Sequence, residues 1–364
     1  MLQNIFNDMN DLTKQISNSV INIGLLGFGL SGKVFHAPFI ENNQSFRLHS
    51  IVTSGTEAGK LYPKTNLLPD YQTLLNNPDI DLIVICTPSN LHAEQAILAM
   101  KAGKHVVVEK PFAMNSSEVL QMIETAKTSG KLLFPFHNRR WDGDFMTVKH
   151  LITDGFLGNV IEFESCFERF SPIVSRAAWR YETPESGGTL FDLGPHLIDQ
   201  AICLFGKPIS VCCKLYFQRE TSHANDNFDI KLIYPTLTVK LKADLLIREP
   251  GPRFVVRGDQ GSFIKFGSDS QEDSLRKGKN PRENNFGHES KQLHGVLHST
   301  ANNDVFKGKF KTIQGNYMGF YDSVYDAIAT GKEQTIKPED ALLNVQIIEA
   351  CLKSHNENRN VELN

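Results

Sequence analysis

The stretch INIGLLGFGLSGKVFHAPFI, residues 21–40, decides how the rest of the chain is read. An apolar run is followed by G-x-G-x-x-G at Gly27, Gly29 and Gly32, and then by a helical pattern. The run reads as a buried strand and the glycines as a tight turn that opens a helix. The N–H groups of that helix's first turn would face a pyrophosphate. Gly29 would let a phosphate approach the backbone, and Gly32 would let the helix pack close on the strand. Any tight strand-to-helix turn favours glycine, so the motif needs support from its surroundings.

The following residues supply it. FRLHSIVTS reads as a second strand ending at Thr53–Ser54. DLIVIC is a continuous apolar run of the kind found in a central parallel strand. TPSN breaks it, and HAEQAILAMKAGK is an amphipathic helix closed by Gly103. HVVVEKP is another buried strand, EVLQMIETAKTSG another helix, and KLLFPFHNR the next strand. Strand and helix alternate, so residues 21–140 are expected to form one doubly wound parallel domain, a Rossmann fold, after an extension of residues 1–20. Ligands in such sheets bind beyond the carboxyl ends of the strands. Those ends carry Gly27–Gly32, Thr53–Ser54, Thr87–Asn90, Glu109–Lys110 and His137–Arg139.

An acidic residue at the tip of the second strand is the usual partner of the ribose hydroxyls in NAD-binding folds. Here the tip is Thr-Ser-Gly-Thr, with Glu57 and Lys60 further on. Hydroxyls and a lysine tolerate a 2′-phosphate that a carboxylate would repel, so NADP is favoured over NAD. Lys110 follows three valines and precedes Pro111, which makes the backbone there rigid and should aim the lysine into the cleft. Such a lysine can hydrogen-bond a substrate hydroxyl. Elsewhere a lysine at a strand end is ordinarily a surface residue.

Beyond residue 140 the pattern changes. FMTVKHLITDGFLGNVIEFESCFERF reads as a helix, a turn and a strand. Two glycines then open a helix carrying Asp192, His196 and Asp199. Asp192 and His196 are four apart and would share one helix face. A carboxylate so placed orients an imidazole and raises its basicity, leaving the other nitrogen free for a proton. An isolated D-x-x-x-H is more often a structural pair. SVCCKLYFQRE, NFDIKLIYP, TVKLKADLLI and RFVVRGDQGSFIKFG read as four strands of a mostly antiparallel open sheet. Residues 268–312 read as a long polar loop, and two helices follow. Residues 141–364 thus form an α+β domain, expected to serve substrate binding and oligomerisation.

The bulk properties exclude several classes. The chain has 364 residues, 40% hydrophobic and 22% charged, with a formal net charge of -3. No basic face is advertised for nucleic acid or anionic membrane. Residues 1–20 hold no long apolar run, and no later segment reads as a membrane span, so a cytoplasmic protein is expected. The six cysteines form no C-x-x-C pair, which suits reduced, mostly buried thiols. No metal-ligand cluster is visible.

The ordered set GFGLSG, TPSNLH, EKPF, AAWR and GGTLFDLGPHLID resembles the glucose–fructose oxidoreductase, inositol dehydrogenase and rhizopine-catabolism (Gfo/Idh/MocA) family of NAD(P)-dependent oxidoreductases. The likeness runs from Ile21 to about Arg359. VFHAPFI and FGSDSQEDSLRKGKNP look like a bacterial branch of it. The resemblance implies a dinucleotide held by Gly27, Phe28, Gly29 and Ser31 at the pyrophosphate and by Thr53 and Ser54 at the adenosine ribose. It implies Thr87, Asn90 and His92 along the nicotinamide side, with Glu109, Lys110, Pro111 and Asn138 near the nicotinamide. Trp179 and Arg180 match a segment that lines the cleft, and Tyr317 falls where the family often sends a tyrosine back to the cofactor. Lys110, Asp192 and His196 match its catalytic lysine, aspartate and histidine.

The expected reaction is reversible hydride transfer between nicotinamide and a secondary alcohol or carbonyl of a sugar, cyclitol or sugar derivative. The residues leave open whether Lys110 or His196 is the immediate proton partner. A dinucleotide- or sugar-binding regulator of the same fold is the competing reading, and the intact lysine, aspartate and histidine speak against it. The family commonly pairs subunits through the exposed face of its open sheet, so a homodimer or homotetramer is expected.

Overall fold

The structure is a computed structural model. It describes residues 20–174, 187–220, 222–300 and 305–363. Trp179, Arg180 and most of the amino-terminal extension lie outside the described residues. The chain divides into two units. The first is the amino-terminal stretch up to Phe136 together with Glu272–Phe286 and Tyr317–Glu339. The second comprises His137–Gln271, Gly287–Asn316 and Asp340–Asn364.

In the first unit six strands form one parallel sheet: β1 (Ile21–Leu26), β2 (Phe46–Val52), β3 (Asn66–Leu68), β4 (Leu82–Ile85), β5 (His105–Val108) and β6 (Leu133–Pro135). Their order is β3-β2-β1-β4-β5-β6, with every neighbouring pair parallel. This is the Rossmann order, and the chain reverses direction of travel between β1 and β4. The central strands are apolar because both faces are covered: Ile23, Leu25 and all of LIVI in β4 are inaccessible to solvent. Helix α1 follows the glycine turn as a π-helical turn, Gly32–His36, running into an α-helical one, Ala37–Glu41. Pro38 has no N–H to offer the Val34 carbonyl four residues back. The widened turn accommodates that loss, and the Ala37 N–H bonds back to the Gly32 carbonyl.

The second unit carries a nine-stranded sheet built from β7 (Val160–Glu168), β8 (Ser210–Tyr216), β9 (Asn227–Ile233), β10 (Thr238–Asp244), β11 (Phe254–Gly258), β12 (Gly261–Lys265), β13 (Gly295–Ser299), β14 (Phe306–Phe310) and β15 (Val361–Glu362). Its order is β14-β13-β12-β11-β7-β10-β9-β8-β15. Neighbours are antiparallel except β7 and β10, which makes the sheet mixed. One face is buried with Phe145, Val148, Leu151, Leu197, Ile198, Ile347 and Ile348, from helices Gly143–Thr153, Gly194–Phe205 and Pro338–Glu357. The other carries charged residues in ion pairs, such as Lys240 with Glu162 and Glu164, which in turn face Arg257.

Three sequence readings change here. RFVVRGDQGSFIKFG is two strands, β11 and β12, paired as a hairpin rather than one. The stretch read as a loop over 268–312 holds a helix at Gln271–Arg276 and the two strands β13 and β14. Polar composition hid β14, an outer strand whose lysines face solvent, as edge strands commonly do. Finally, the single helix expected after the two glycines is two, Gly188–Asp192 and Gly194–Phe205, separated by Leu193. Pro195 causes the break, because it can offer no N–H to the Phe191 carbonyl and sits instead in the first turn of a new helix. Among the described residues no helix is long and apolar enough to cross a membrane.

Candidate functional site

The glycine turn lies at the carboxyl end of β1, and each glycine has a separate reason. Gly27 has φ +96°, and a Cβ there would sit 3.0 Å from the Cys86 carbonyl oxygen. At Gly32 a Cβ would lie 2.4 Å from the Gly27 carbonyl oxygen. At Gly29 it would meet nothing within 4 Å. The turn is therefore closed underneath by Gly27 and Gly32 and open above at Gly29. That fits a phosphate group approaching the backbone ahead of α1, whose first N–H groups lack intrahelical acceptors. Gly32→Ala forces backbone against backbone and is expected to destabilise by about 1–3 kcal/mol. A denaturation midpoint equal to that of the wild type would refute the close-approach argument.

Thr53 and Ser54 follow β2 directly, and the Thr53 hydroxyl accepts the Gly55 N–H at 3.2 Å. Glu57, the nearest acid, is exposed and ion-paired with Lys33 of α1. Thr87 lies just beyond β4, and its hydroxyl donates to Gln95 at 2.5 Å. Asn90 is exposed in a short 3-10 turn, Ser89–Leu91. His92 differs from the role the resemblance implied. It is buried, and both ring nitrogens lie 2.9 Å from backbone carbonyls, those of Pro111 and Thr87. Its geometric effect is to tie the loop after β4 to the loop after β5. Burial pushes its pKa down, against the raising effect of those carbonyls.

Glu109 is the most connected residue of the first unit's site. It is buried at the end of β5. One carboxylate oxygen accepts from the Ser31 hydroxyl and lies 3.1 Å from His36 Nε2. The other accepts the backbone N–H of Lys110 at 2.8 Å. His36 Nδ1 is 2.7 Å from the Tyr321 hydroxyl oxygen. Burial pushes Glu109 up, but the hydrogen bond and charge of His36, the Ser31 hydroxyl and the Lys110 ammonium outweigh it and hold the group at about 2. Lys110 is half-buried, and Pro111 after it is buried. Tyr317, directly ahead of helix Met318–Thr330, is buried with its ring near that of Phe39, 6.2 Å between centroids.

In the second unit Asn138 is buried in a 3-10 turn, Asn138–Trp141. Asp192 ends the first short helix and is half-buried, whereas His196 is 7% exposed in the first turn of the second. The pair therefore spans a helix break rather than one continuous face. Asp199 is committed elsewhere: Arg140 donates to both its oxygens, at 2.9 and 2.7 Å. Lys110 thus belongs to the first unit, and Asp192 and His196 to the second. His36 and Tyr321 had no chemistry in the sequence reading. VFHAPFI was noticed only as a branch marker, and a regular α-helix does not reveal where a π turn points its histidine.

Comparison with known proteins agrees with this arrangement. Residues 21–137 match the family model described as "Oxidoreductase family, NAD-binding Rossmann fold", and residues 149–363 match "Oxidoreductase family, C-terminal alpha/beta domain". The chain is 36% identical over 344 residues to scyllo-inositol 2-dehydrogenase (NADP(+)) of Bacillus subtilis, covering 94% of this chain and 96% of that one. It is 28% identical over 201 residues to levoglucosan dehydrogenase of Pseudarthrobacter phenanthrenivorans, covering 51% of this chain and 52% of that enzyme. A crystal structure of an oxidoreductase from Bacillus cereus superposes with a TM-score of 0.88 at 33% identity, covering 95% of this chain and 99% of that one. With both domain models matched along nearly its whole length, the chain belongs to the Gfo/Idh/MocA family and is an oxidoreductase with an NAD-binding Rossmann fold.

Proposed function

We propose that this protein transfers a hydride between the nicotinamide of a dinucleotide, NADP in preference to NAD, and a secondary alcohol or carbonyl carbon of a sugar, cyclitol or sugar derivative. The observation that carries the reading is the glycine turn, closed beneath by Gly27 and Gly32 and open at Gly29, at the carboxyl end of a parallel strand. The NADP preference is supported by the tip of β2. It offers Thr53 and Ser54, and its nearest carboxylate, Glu57, is already paired with Lys33. The substrate class is supported by the names of the relatives, which act on an inositol and an anhydrosugar.

When bound, the nicotinamide supplies the hydride acceptor or donor. Gly27, Phe28, Gly29 and Ser31 would hold the pyrophosphate, and Thr53 and Ser54 the adenosine ribose. Thr87, Asn90, Pro111, Asn138 and Tyr317 would line the nicotinamide and its substrate, while His92 acts by holding the loops that carry Thr87 and Pro111. His196 takes or gives the hydroxyl proton, and Asp192 supports the charge on its ring. Lys110 stabilises negative charge developing on the substrate oxygen.

The test begins with fluorescence transfer from Trp141 and Trp179 to reduced nicotinamide during titration with NADPH and with NADH. NADPH is expected to bind at least roughly tenfold more tightly, since a 2′-phosphate held by hydroxyls and lysine is worth about 1.4 kcal/mol or more. Turnover of scyllo-inositol and related polyols with the tighter cofactor follows. Folded protein that binds neither dinucleotide would sink the proposal. Tighter binding of NADH would overturn the NADP preference alone.

A further inference from the structure

The helix after the glycine turn contains a histidine buried at 0% exposure, in the residue where its π turn ends. Its ring lies against Phe136, 4.1 Å between centroids, and edge-on to Tyr321 at 6.2 Å. Both nitrogens are placed: Nε2 at 3.1 Å from Glu109 and Nδ1 at 2.7 Å from the Tyr321 hydroxyl. A carboxylate only accepts, so Nε2 carries the proton that faces Glu109. The other Glu109 oxygen accepts the backbone N–H of the very next residue, Lys110. A chain of contacts therefore runs from Tyr321 through His36 and Glu109 to the backbone of Lys110.

We propose that His36 is a positioning residue for Lys110: braced by Tyr321 and Phe136, it keeps the Glu109 carboxylate fixed as a pure acceptor, and Glu109 in turn fixes the strand end from which the lysine projects. This inference rests on the hydride-transfer reading for its catalytic consequence, though the contacts themselves stand without it. The π turn is what makes the arrangement possible. One extra residue in the turn rotates everything after it by about a third of a revolution relative to a regular helix, which carries the histidine from one face to another. Burial alone would favour a neutral Glu109, and three donors counter it. The titratable and charged groups facing Glu109 are His36 and Tyr321 already named, Lys110 beside it, Cys86 after β4, and His92 at the start of helix His92–Lys101. Cys86 and Tyr321 are both held well above their ordinary values, burial first, and so stay neutral. His36 is then the group whose removal most exposes Glu109 to the effect of burial.

The test compares wild type with His36→Leu, His36→Gln and Tyr321→Phe, using full-length protein labelled with carbon-13 at the glutamate carboxyl carbons. The Glu109 resonance, assigned by its loss in Glu109→Gln, is expected to stay ionised from about pH 5 to about pH 9 in wild type. In His36→Leu it is expected to titrate within that range. His36→Gln, which keeps one donor, should lie between them, and Tyr321→Phe should move the resonance less than His36→Leu does. In parallel, kcat/KM for the polyol turned over by the wild type should fall roughly tenfold at neutral pH in His36→Leu and recover as the pH rises, because Glu109 regains its charge. Dinucleotide binding in that variant should stay within about threefold of wild type, which separates positioning from loss of fold. An unshifted Glu109 resonance in folded His36→Leu or His36→Gln overturns the proposal, as does a uniform loss of activity at every pH. Failure of the hydride-transfer reading shows in the wild type alone, as absent turnover, and leaves the carboxyl titration to decide the His36 contact by itself.

Discussion

Lys110→Met is expected to lower kcat by about a hundred- to ten-thousandfold while leaving the fold and dinucleotide binding intact, the range typical of removing a positioned acid–base or charge-stabilising group. Methionine keeps the length and most of the volume of the lysine stem, so packing around this half-buried side chain changes little. What disappears is the ammonium group. The backbone beneath it remains anchored, since the Lys110 N–H still donates to Glu109. The kinetic pattern distinguishes roles. A group acting on charge in the transition state lowers kcat and kcat/KM together, whereas one that only binds the dinucleotide raises its KM and spares kcat. Steady-state kinetics with saturating cofactor, beside a circular-dichroism spectrum, make the measurement. A folded variant with kcat within tenfold of wild type would remove Lys110 from the chemistry.

The second large effect concerns stability. Arg140→Met is expected to destabilise the second unit by about 3–5 kcal/mol near neutral pH, because it strands a buried carboxylate. Asp199 is 1% exposed and takes both its charge-assisted bonds from Arg140, which also reaches Asp340 at 3.0 Å. His137 lies further off, 4.0 Å from Asp199. Burial pushes Asp199 up, but the charge of Arg140, then His137, then the Arg140 hydrogen bonds hold it below the ordinary range. A folded pKa below the unfolded one stabilises above the unfolded value, about 3.9, and this is lost as pH falls through the folded value. Without Arg140 the sign reverses: burial raises the folded pKa, so the penalty grows as pH rises above the unfolded value. The gap between variant and wild type should therefore be widest near neutrality and narrow toward about pH 4. Urea titrations at several pH values, followed at Trp141 beside the substituted position, would show this. A gap independent of pH would mean that lost packing, not the stranded charge, sets the cost. Adding Asp199→Asn to the variant should recover part of the loss.

Much of the first unit was readable because its strands are buried on both faces. INIGLL, LIVI and HVVV are long enough to signal themselves, and glycine, proline and capping residues bound the helices between them. The same logic failed where strands are short or wet. β3 has three residues and β15 two, too few to establish a period. β14 presents Lys307 and Lys309 to solvent and was lost in a polar stretch. At the site, Lys110, Asp192 and His196 stood out through motif and spacing, yet the break at Leu193 did not, although Pro195 was there to signal it. His36 went unread for a different reason. Its importance lies in a turn with one residue too many, and in a tyrosine 285 positions later, which no local pattern joins to it.

The first unit is assembled from stretches far apart in the chain, and that sets an order on synthesis. A ribosome releases β1 to β6 long before Tyr317–Glu339 emerges. Until then Phe46 lacks the rings of Tyr321 and Tyr325, Phe136 lacks Phe320, and the imidazole of His36 lacks its hydroxyl. The entropic cost of closing so long a loop grows only with the logarithm of its length, so the delay weighs on time far more than on final stability. A nascent chain halted anywhere before residue 317 carries its six sheet strands and its glycine turn, with the histidine behind them still waiting for its brace.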